Sequence, residues 1–422
     1  MGLIDRMIKR LAIKNNWTLT TGWPVWMGGR SRSGEDVSPR SAMQTAAVYC
    51  AVRILSETVA QLPIHYYRTI RTQDGRHKTV REYDSPLYSL LHDQPNPEMT
   101  SFIFREQMMK DLLLYGNHFS QIVRNNRGEI VALYPLTAQN VVVMRDQNAK
   151  LFYQYTRTGT GDDPGEPETI IFLESEVLHI PALGWNGLVG YSPIQMAMQA
   201  VGASLAADDY AATFYANAAT PSGVLEFPGA LKDPKKIREQ WENGFSGAVN
   251  AGKTPVLEEG MTYKPISISP AEAQFLETRK FNVDEIARIF RIPPHMLADL
   301  ERSSFSNIEH QSLEFVKYTI APWIARIEQG LKKSLLLPAE KEDHFWAFNL
   351  EGLLRGDYQS RMNGYAIARQ NGWMSANDIR ELENMNMIPE EEGGDLYLVN
   401  GNMLPLAKAG AAYEDTQGGN EQ

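Results

Sequence analysis

The chain has 422 residues and carries 41 Lys plus Arg against 51 Asp plus Glu, a formal net charge of −10. Apolar residues at 43% and charged residues at 22% exclude a wholly disordered, fibrous or collagen-like chain, and the length predicts two or three compact units. The acidic total argues against a free-standing duplex-DNA binder with a broad basic face, but not against a protein that lets DNA slide past.

Leu3, Ile4, Met7, Ile8 and Leu11 recur at helical spacing with Arg6, Lys9, Arg10 and Lys14 between them, which predicts a short basic amphipathic helix docking on a neighbouring surface. The stretch has no secretory pattern, and Arg6 stands where a myristoylation signal needs a hydroxyl, so an intracellular product is expected. Thr18 to Arg40 reads as linker. Ser41 opens a helix through Leu62 with Val48, Val52, Leu55 and Val59 on one face; the only cysteine, Cys50, lies in it and excludes a disulfide framework or a multi-thiolate metal site. Ile64 to Arg68 reads as a strand, Pro86 to Leu91 as a short helix, and Ser101 to Tyr115 as a long helix stopped at Gly116. Short strands follow at 119–123, 130–134, 141–144, 151–155 and within 170–180. A helix pair on a mostly antiparallel sheet makes this part α+β.

Pro193 starts an Ala-rich helix that can run to Ala219, broken as an apolar run only by Asp208-Asp209, so no membrane span is expected. Its 27 or so residues reach about 40 Å. Ala203, Ala206, Ala207 and Ala211 leave little bulk and suit close helix-to-helix packing. Thr220 to Pro270 holds short strands around a helix from Asp233 to about Phe245, and a second rod runs from Ala271 to Arg291. Two rods bracketing a small insert is the most informative pattern in the chain. A polar loop, 295–307, precedes a third long helix, from Ile308 to about Leu335, which Pro322 is expected to kink. Phe345 to Leu350 reads as a strand. Helices at 357–371 and 375–384 follow, the second opened by a Ser375/Asp378 capping box. Beyond Leu398 the composition predicts disorder.

Gly247 to Thr254 (GAVNAGKT) fits the phosphate-loop pattern letter for letter, but that loop needs a buried strand before it and a helix after it. Here an amphipathic helix precedes and Pro255-Val256-Leu257 follows, so a glycine turn is the better reading. No histidine pair at metal-binding spacing and no nucleophile elbow occurs, so the expectation is no catalytic residue, no metal and no cofactor. Lys232, Lys235, Lys236, Arg238 and Lys253 in the insert are candidates for a protein partner or DNA, nearly balanced by acids nearby. Arg302, Ser303, Ser304, Phe305, Asn307 and His310 offer donors able to touch a sugar-phosphate backbone without reading sequence.

Several strings, in this order, resemble the portal proteins of long-tailed bacteriophages and their prophages, of the lambdoid siphovirus type: MGLIDR from Met1, AVYCAVR from Ala47, LPI from Leu62, LYGN from Leu114, GYSPI from Gly190, GVL from Gly223, GK at Gly252 ahead of VLEEG from Val256, FRIPP from Phe290 and NDIR from Asn377. The resemblance implies a ring subunit, usually of a dodecamer at one capsid vertex, through which double-stranded DNA is packaged and ejected. It implies an N-terminal arm and linker (1–40), a wing (41–191, with a return strand in 336–352), stem helices (192–219 and 271–291), a clip (220–270), a tunnel loop and helix (292–335), a crown (353–395) and an acidic tail (396–422). Implied partners are the large terminase subunit, a head-tail adaptor and the major capsid protein, in a virion made in the bacterial cytoplasm. Two other readings stand beside it: a capsid-associated interaction protein without a channel, and a nucleotide-binding enzyme using the 247–254 loop.

Overall fold

The computed structural model describes residues 21–72, 77–146, 148–157, 168–184, 186–216, 223–229, 233–245, 257, 260–265, 271–298, 311–350, 353, 358–383 and 385–398. They form two compact units, divided between Asn349 and Leu350.

In the first unit, a small hairpin, β2 (Gly29–Arg30) and β3 (Asp36–Val37), follows β1 (Thr21–Pro24). The helix expected from Ser41 is divided. Pro39–Ala42 is a separate turn, α1, closed by a reciprocal Ser38/Ser41 capping box, and Thr45 Oγ1 donates to the Ala42 carbonyl at 2.7 Å before α2 (Ala46–Ala60) begins. Local side-chain bonds thus displace the ladder that the apolar spacing alone suggested. Val48, Val52, Leu55 and Val59 form the buried stripe of α2. It packs along α4 (Ser101–Tyr115), which Thr100 caps and Gly116 ends in the left-handed conformation, φ 73°. A Cβ at Gly116 would overlap the Tyr191 carbonyl, so the stop is steric as well as conformational.

The expected single sheet is three small antiparallel ones. β1 pairs with β8 (Val141–Arg145), then β9 (Leu151–Arg157) and β10 (Glu168–Leu173). β6 (Asn117–Arg124) lies between β7 (Ile130–Leu136) and β11 (Val177–Pro181). β4 (Ile64–Arg71) lies between β5 (His77–Arg81) and β14 (His344–Phe348), the strand expected at 345–350. The chain crosses between the first two of these sheets at two 3₁₀ turns, Ala138–Asn140 after β7 and Glu174–Glu176 after β10, and in the second Glu176 accepts from the Leu173 N–H at 2.9 Å. Val25, Phe119, Val141, Val143, Tyr153, Phe172 and Val177 fill the space between two of the sheets. Between β5 and α4 lies the short helix α3 (Pro86–His92).

The first rod is also broken. α5 (Pro193–Met196), capped by Ser192, ends at Ala197, and α6 runs Met198–Ala216; 217–219 lie outside the described residues. α7 (Pro234–Phe245) and the pair β12 (Gly223–Glu226) with β13 (Thr262–Pro265) make up the insert. α8 (Ala271–Phe290) returns along α6. Pro322 does not produce a simple kink. Its ring would collide with the carbonyl four residues back, and the chain instead widens into a π turn over Val316–Ile320, leaving Pro322 in the first turn of α9 (Ala321–Leu335). Ile324, Ile327, Leu331 and Leu335 bury α9 across β11 and β14.

The second unit holds α10 (Tyr358–Gln370) and α11 (Ala376–Leu382), joined at Gly372, φ 71°. The expected Ser375/Asp378 capping box forms, with Asp378 accepting the Ser375 N–H at 2.6 Å. The expected disorder beyond Leu398 concerns residues outside those described.

Candidate functional site

The polar loop expected to face DNA, 295–307, is described only as far as Ala298, and Arg302, Ser303, Ser304, Phe305, Asn307 and His310 lie outside the described residues. Its base is well defined. α8 ends in a Schellman arrangement: Ile292 N–H donates to the Ala287 carbonyl at 2.9 Å and Arg291 N–H to the Arg288 carbonyl at 3.2 Å, with Arg291 at φ 55°. An arginine in the left-handed region is strained, and its carbonyl is held by Thr319 Oγ1 at 2.6 Å. That bond ties the end of the second rod to the π turn. A 3₁₀ turn, Pro294–Leu297, then leads to Ala298, and His295 Nδ1 meets Gln311 Oε1 at 2.7 Å, joining the two ends of the loop.

The rods lie side by side, and the β2–β3 hairpin braces the start of the first. Arg32 N–H donates to Gln199 Oε1 at 3.0 Å, and Gly202 faces Ser31 so closely that any side chain there would overlap it. Ala197, Ala200 and Val201 are buried. Of the alanines singled out for packing, Ala211 is buried within the chain, whereas Ala203, Ala206 and Ala207 are only partly covered. Tyr210 and Phe281, one on each rod, are more than half exposed.

In the insert, Asp233 caps α7 by accepting the Lys236 N–H at 3.2 Å, and Trp241 stacks on Tyr263 with ring centres 5.4 Å apart. Lys264 is engaged by Glu226 at 2.8 Å. Lys235 and Lys236 are exposed on α7, and Arg238 sits in the same helix. Lys232, Lys253 and the phosphate-loop look-alike lie outside the described residues, but the element before that look-alike is the helix the context required.

Spacing could not have revealed two side-chain clusters. Asp111 Oδ2 meets His118 Nδ1 at 2.9 Å, and His118 Nε2 meets Ser120 Oγ at 2.8 Å, a Ser–His–Asp string. All three are buried in the chain, so a substrate has no route to Ser120, and burial pushes the Asp111 carboxyl up. The string ties α4 to β6. His65, Tyr88 and His92 stack beside Tyr67 and Tyr83, with Arg81 bonded to both tyrosine hydroxyls. Burial, aided by Arg81 and His92, pushes the His65 imidazole down to about 4. Among the described residues no group of three His, Cys, Asp or Glu side chains could hold a metal ion, and no helix is long and apolar enough to cross a membrane.

The family model described as phage portal protein matches residues 46–384. The chain is 35% identical over 381 residues to a probable portal protein of Streptomyces phage phiC31, covering 87% of this chain and 80% of that protein. It is 31% identical over 426 residues to the portal protein of Enterobacteria phage HK97, covering 96% of each. In fold it is similar to a subunit in the neck of an empty gene transfer agent particle, TM-score 0.58 at 22% identity, covering 90% of this chain and 99% of that one. It is also similar to an HK97-family phage portal protein from Corynebacterium diphtheriae, TM-score 0.51 at 15% identity, covering 78% and 98%. With the family model spanning most of the sequence and two phage portal proteins aligned over nearly all of it, the chain belongs to the phage portal protein family.

Proposed function

We propose that twelve copies of this chain form a ring at one capsid vertex and that double-stranded DNA enters and leaves through the ring. The observation that carries the reading is the pair of long helices, α6 and α8, bracketing the small β12–α7–β13 insert in a chain of this family. In this reading the rods are the stem and the insert is the clip, which docks the terminase motor and later the head-tail adaptor. The β-rich part forms the wing, facing the major capsid protein, and 353–395 contributes the crown. A gene transfer agent neck of similar fold was computed with C12 symmetry, which supports a twelvefold ring. The loop 295–307 lies at the narrowest part of the channel, next to the His295–Gln311 and Thr319–Arg291 bonds. Ring closure requires the same heterologous contact at one fixed rotation in every copy, and small residues at 203, 206 and 207 let neighbouring helices come close.

The test is negative-stain electron microscopy of the purified protein with mass photometry on the same sample. Closed rings with a central hole and the mass of twelve copies are expected. A monodisperse monomer, both alone and in particles, would overturn the reading in favour of an interaction protein without a channel.

A further inference from the structure

Among the described residues of the second unit Ala368 is the one buried hydrophobic residue, whereas Ile367, Trp373, Met385, Met387, Leu396, Tyr397 and Leu398 are each more than half exposed. Apolar burial this slight among them contributes little against the entropy of ordering their backbone. What holds the segment 385–398 is polar. Asn377 donates to the Ile388 carbonyl at 2.9 Å and to Asp395 at 2.8 Å, while its Oδ1 accepts the Ile388 N–H at 2.8 Å. Arg380 and Arg369 reach the Asn386 and Leu396 carbonyls. The segment therefore runs back over α11 with its methionines and aromatic tip turned outward, and Glu390, Glu391, Glu392 and Asp395 are exposed beside them.

The occupant of this face must bring apolar side chains and positive charge together. An identical acidic face would bring like charges into contact, which costs free energy. The N-terminal arm has the required chemistry: Leu3, Ile4, Met7, Ile8 and Leu11 recur at helical spacing, with Arg6, Lys9, Arg10 and Lys14 around them. A basic amphipathic helix on a methionine-bearing, acid-rimmed apolar surface is an established mode of recognition. We infer that the 385–398 face receives the N-terminal arm, residues 1–16, of another copy of the chain. The contact rests on assembly into a ring, since one copy supplies the arm and the next the face, and it links the ordering of the second unit to that assembly.

The test uses the full chain with a photo-reactive phenylalanine analogue in place of Ile8, prepared as a mixture of isotopically light and heavy protein. The expected product is a cross-link from position 8 to the peptide spanning 381–398, with mixed light–heavy pairs showing that two copies are joined. Reversing Arg6, Lys9 and Arg10 to Glu is expected to lower its yield about tenfold, the combined effect of three exposed charge pairs. Combining that variant with Glu390→Lys, Glu391→Lys and Glu392→Lys is expected to restore it. Cross-links that map elsewhere, light–light and heavy–heavy pairs alone, or a yield indifferent to both sets of reversals would each overturn the proposal. Mass photometry of the same samples separates the two readings: rings without this cross-link sink the arm contact alone, and monomers sink the ring.

Discussion

His179 shows how a buried side chain contributes to the acid tolerance of the first unit. It is enclosed between Phe119, whose ring centre stacks 4.3 Å away, Tyr153 at Nδ1 and Asn117 at Nε2. Burial, reinforced by Lys333 and His118, pushes its imidazole from 6.5 down to about 3. The folded state keeps it neutral while the unfolded chain binds a proton below about 6.5, so stability is full above that pH and is lost as pH falls toward 3. The loss approaches about 1.4 kcal/mol per pH unit once the unfolded histidine is fully protonated. Urea melts at pH 7, 6 and 5 are expected to show this slope, and His179→Gln is expected to lower stability at pH 7 yet flatten the slope by one proton. A second residue-scale prediction concerns Gly116. Both its φ of 73° and its approach to the Tyr191 carbonyl forbid a side chain, so Gly116→Ala is expected to cost about 3 kcal/mol or more. Gly34→Ala, at φ 94° with open space around it, is expected to cost about 1 kcal/mol. Equal shifts in the two melts would show that the steric overlap at Gly116 is relieved by backbone movement.

At the scale of elements, the proposed ring rests on the rods. Ala206 and Ala207 are only partly covered within one chain, so Ala206→Leu and Ala207→Leu are expected to leave the stability of the isolated chain within about 0.5 kcal/mol, as for a surface change. The same substitutions are expected to abolish closed rings, because a leucine holds neighbouring helices apart. Mass photometry beside a thermal melt reads both effects, and rings that persist would remove these positions from the interface. These rods were legible in the sequence because two separate proline-free runs, one between Pro193 and Pro221 and the other between Pro270 and Pro293, permit little else. Their ends were less so: Ala197 interrupts the first rod, and nothing in its spacing distinguishes it from its neighbours. The division of the Ser41 helix arose from Ser38, Ser41 and Thr45, whose hydroxyls bond the backbone locally, an effect that apolar periodicity does not register. The three-sheet arrangement escaped notice for a related reason. The strands near 64, 119, 130, 141 and 151 read correctly by themselves, whereas β1, β2 and β3 fall in a stretch that reads as linker and β5 gave no signal, and pairing such as β14 on β4 joins residues nearly 300 positions apart. The Asp111–His118–Ser120 string was hidden likewise, since a helix end and a strand bring together what the sequence separates by a turn.

At the scale of the whole molecule, the balance of charge bears on how such a ring handles DNA. Each phosphate neutralised by a fixed cation releases counterions and steepens the salt dependence of binding by about 0.9 in a log–log plot. A conduit that held many phosphates would stall its cargo, because every base-pair step would break those contacts. The chain carries −10 overall, and Lys264, in the insert between the rods, is engaged by Glu226 rather than left for a phosphate. Assembled rings are therefore expected to bind linear duplex DNA weakly, without sequence preference, and with a salt slope of about 3 or less per ring. Arg302→Ala is expected to flatten that slope further while leaving ring mass unchanged, because the substitution leaves the His295–Gln311 and Thr319–Arg291 bonds in place. Fluorescence anisotropy across a salt series measures both quantities. A slope near 10 would mean that the ring grips the duplex over many phosphates, which is incompatible with free passage and would point to a clamp instead.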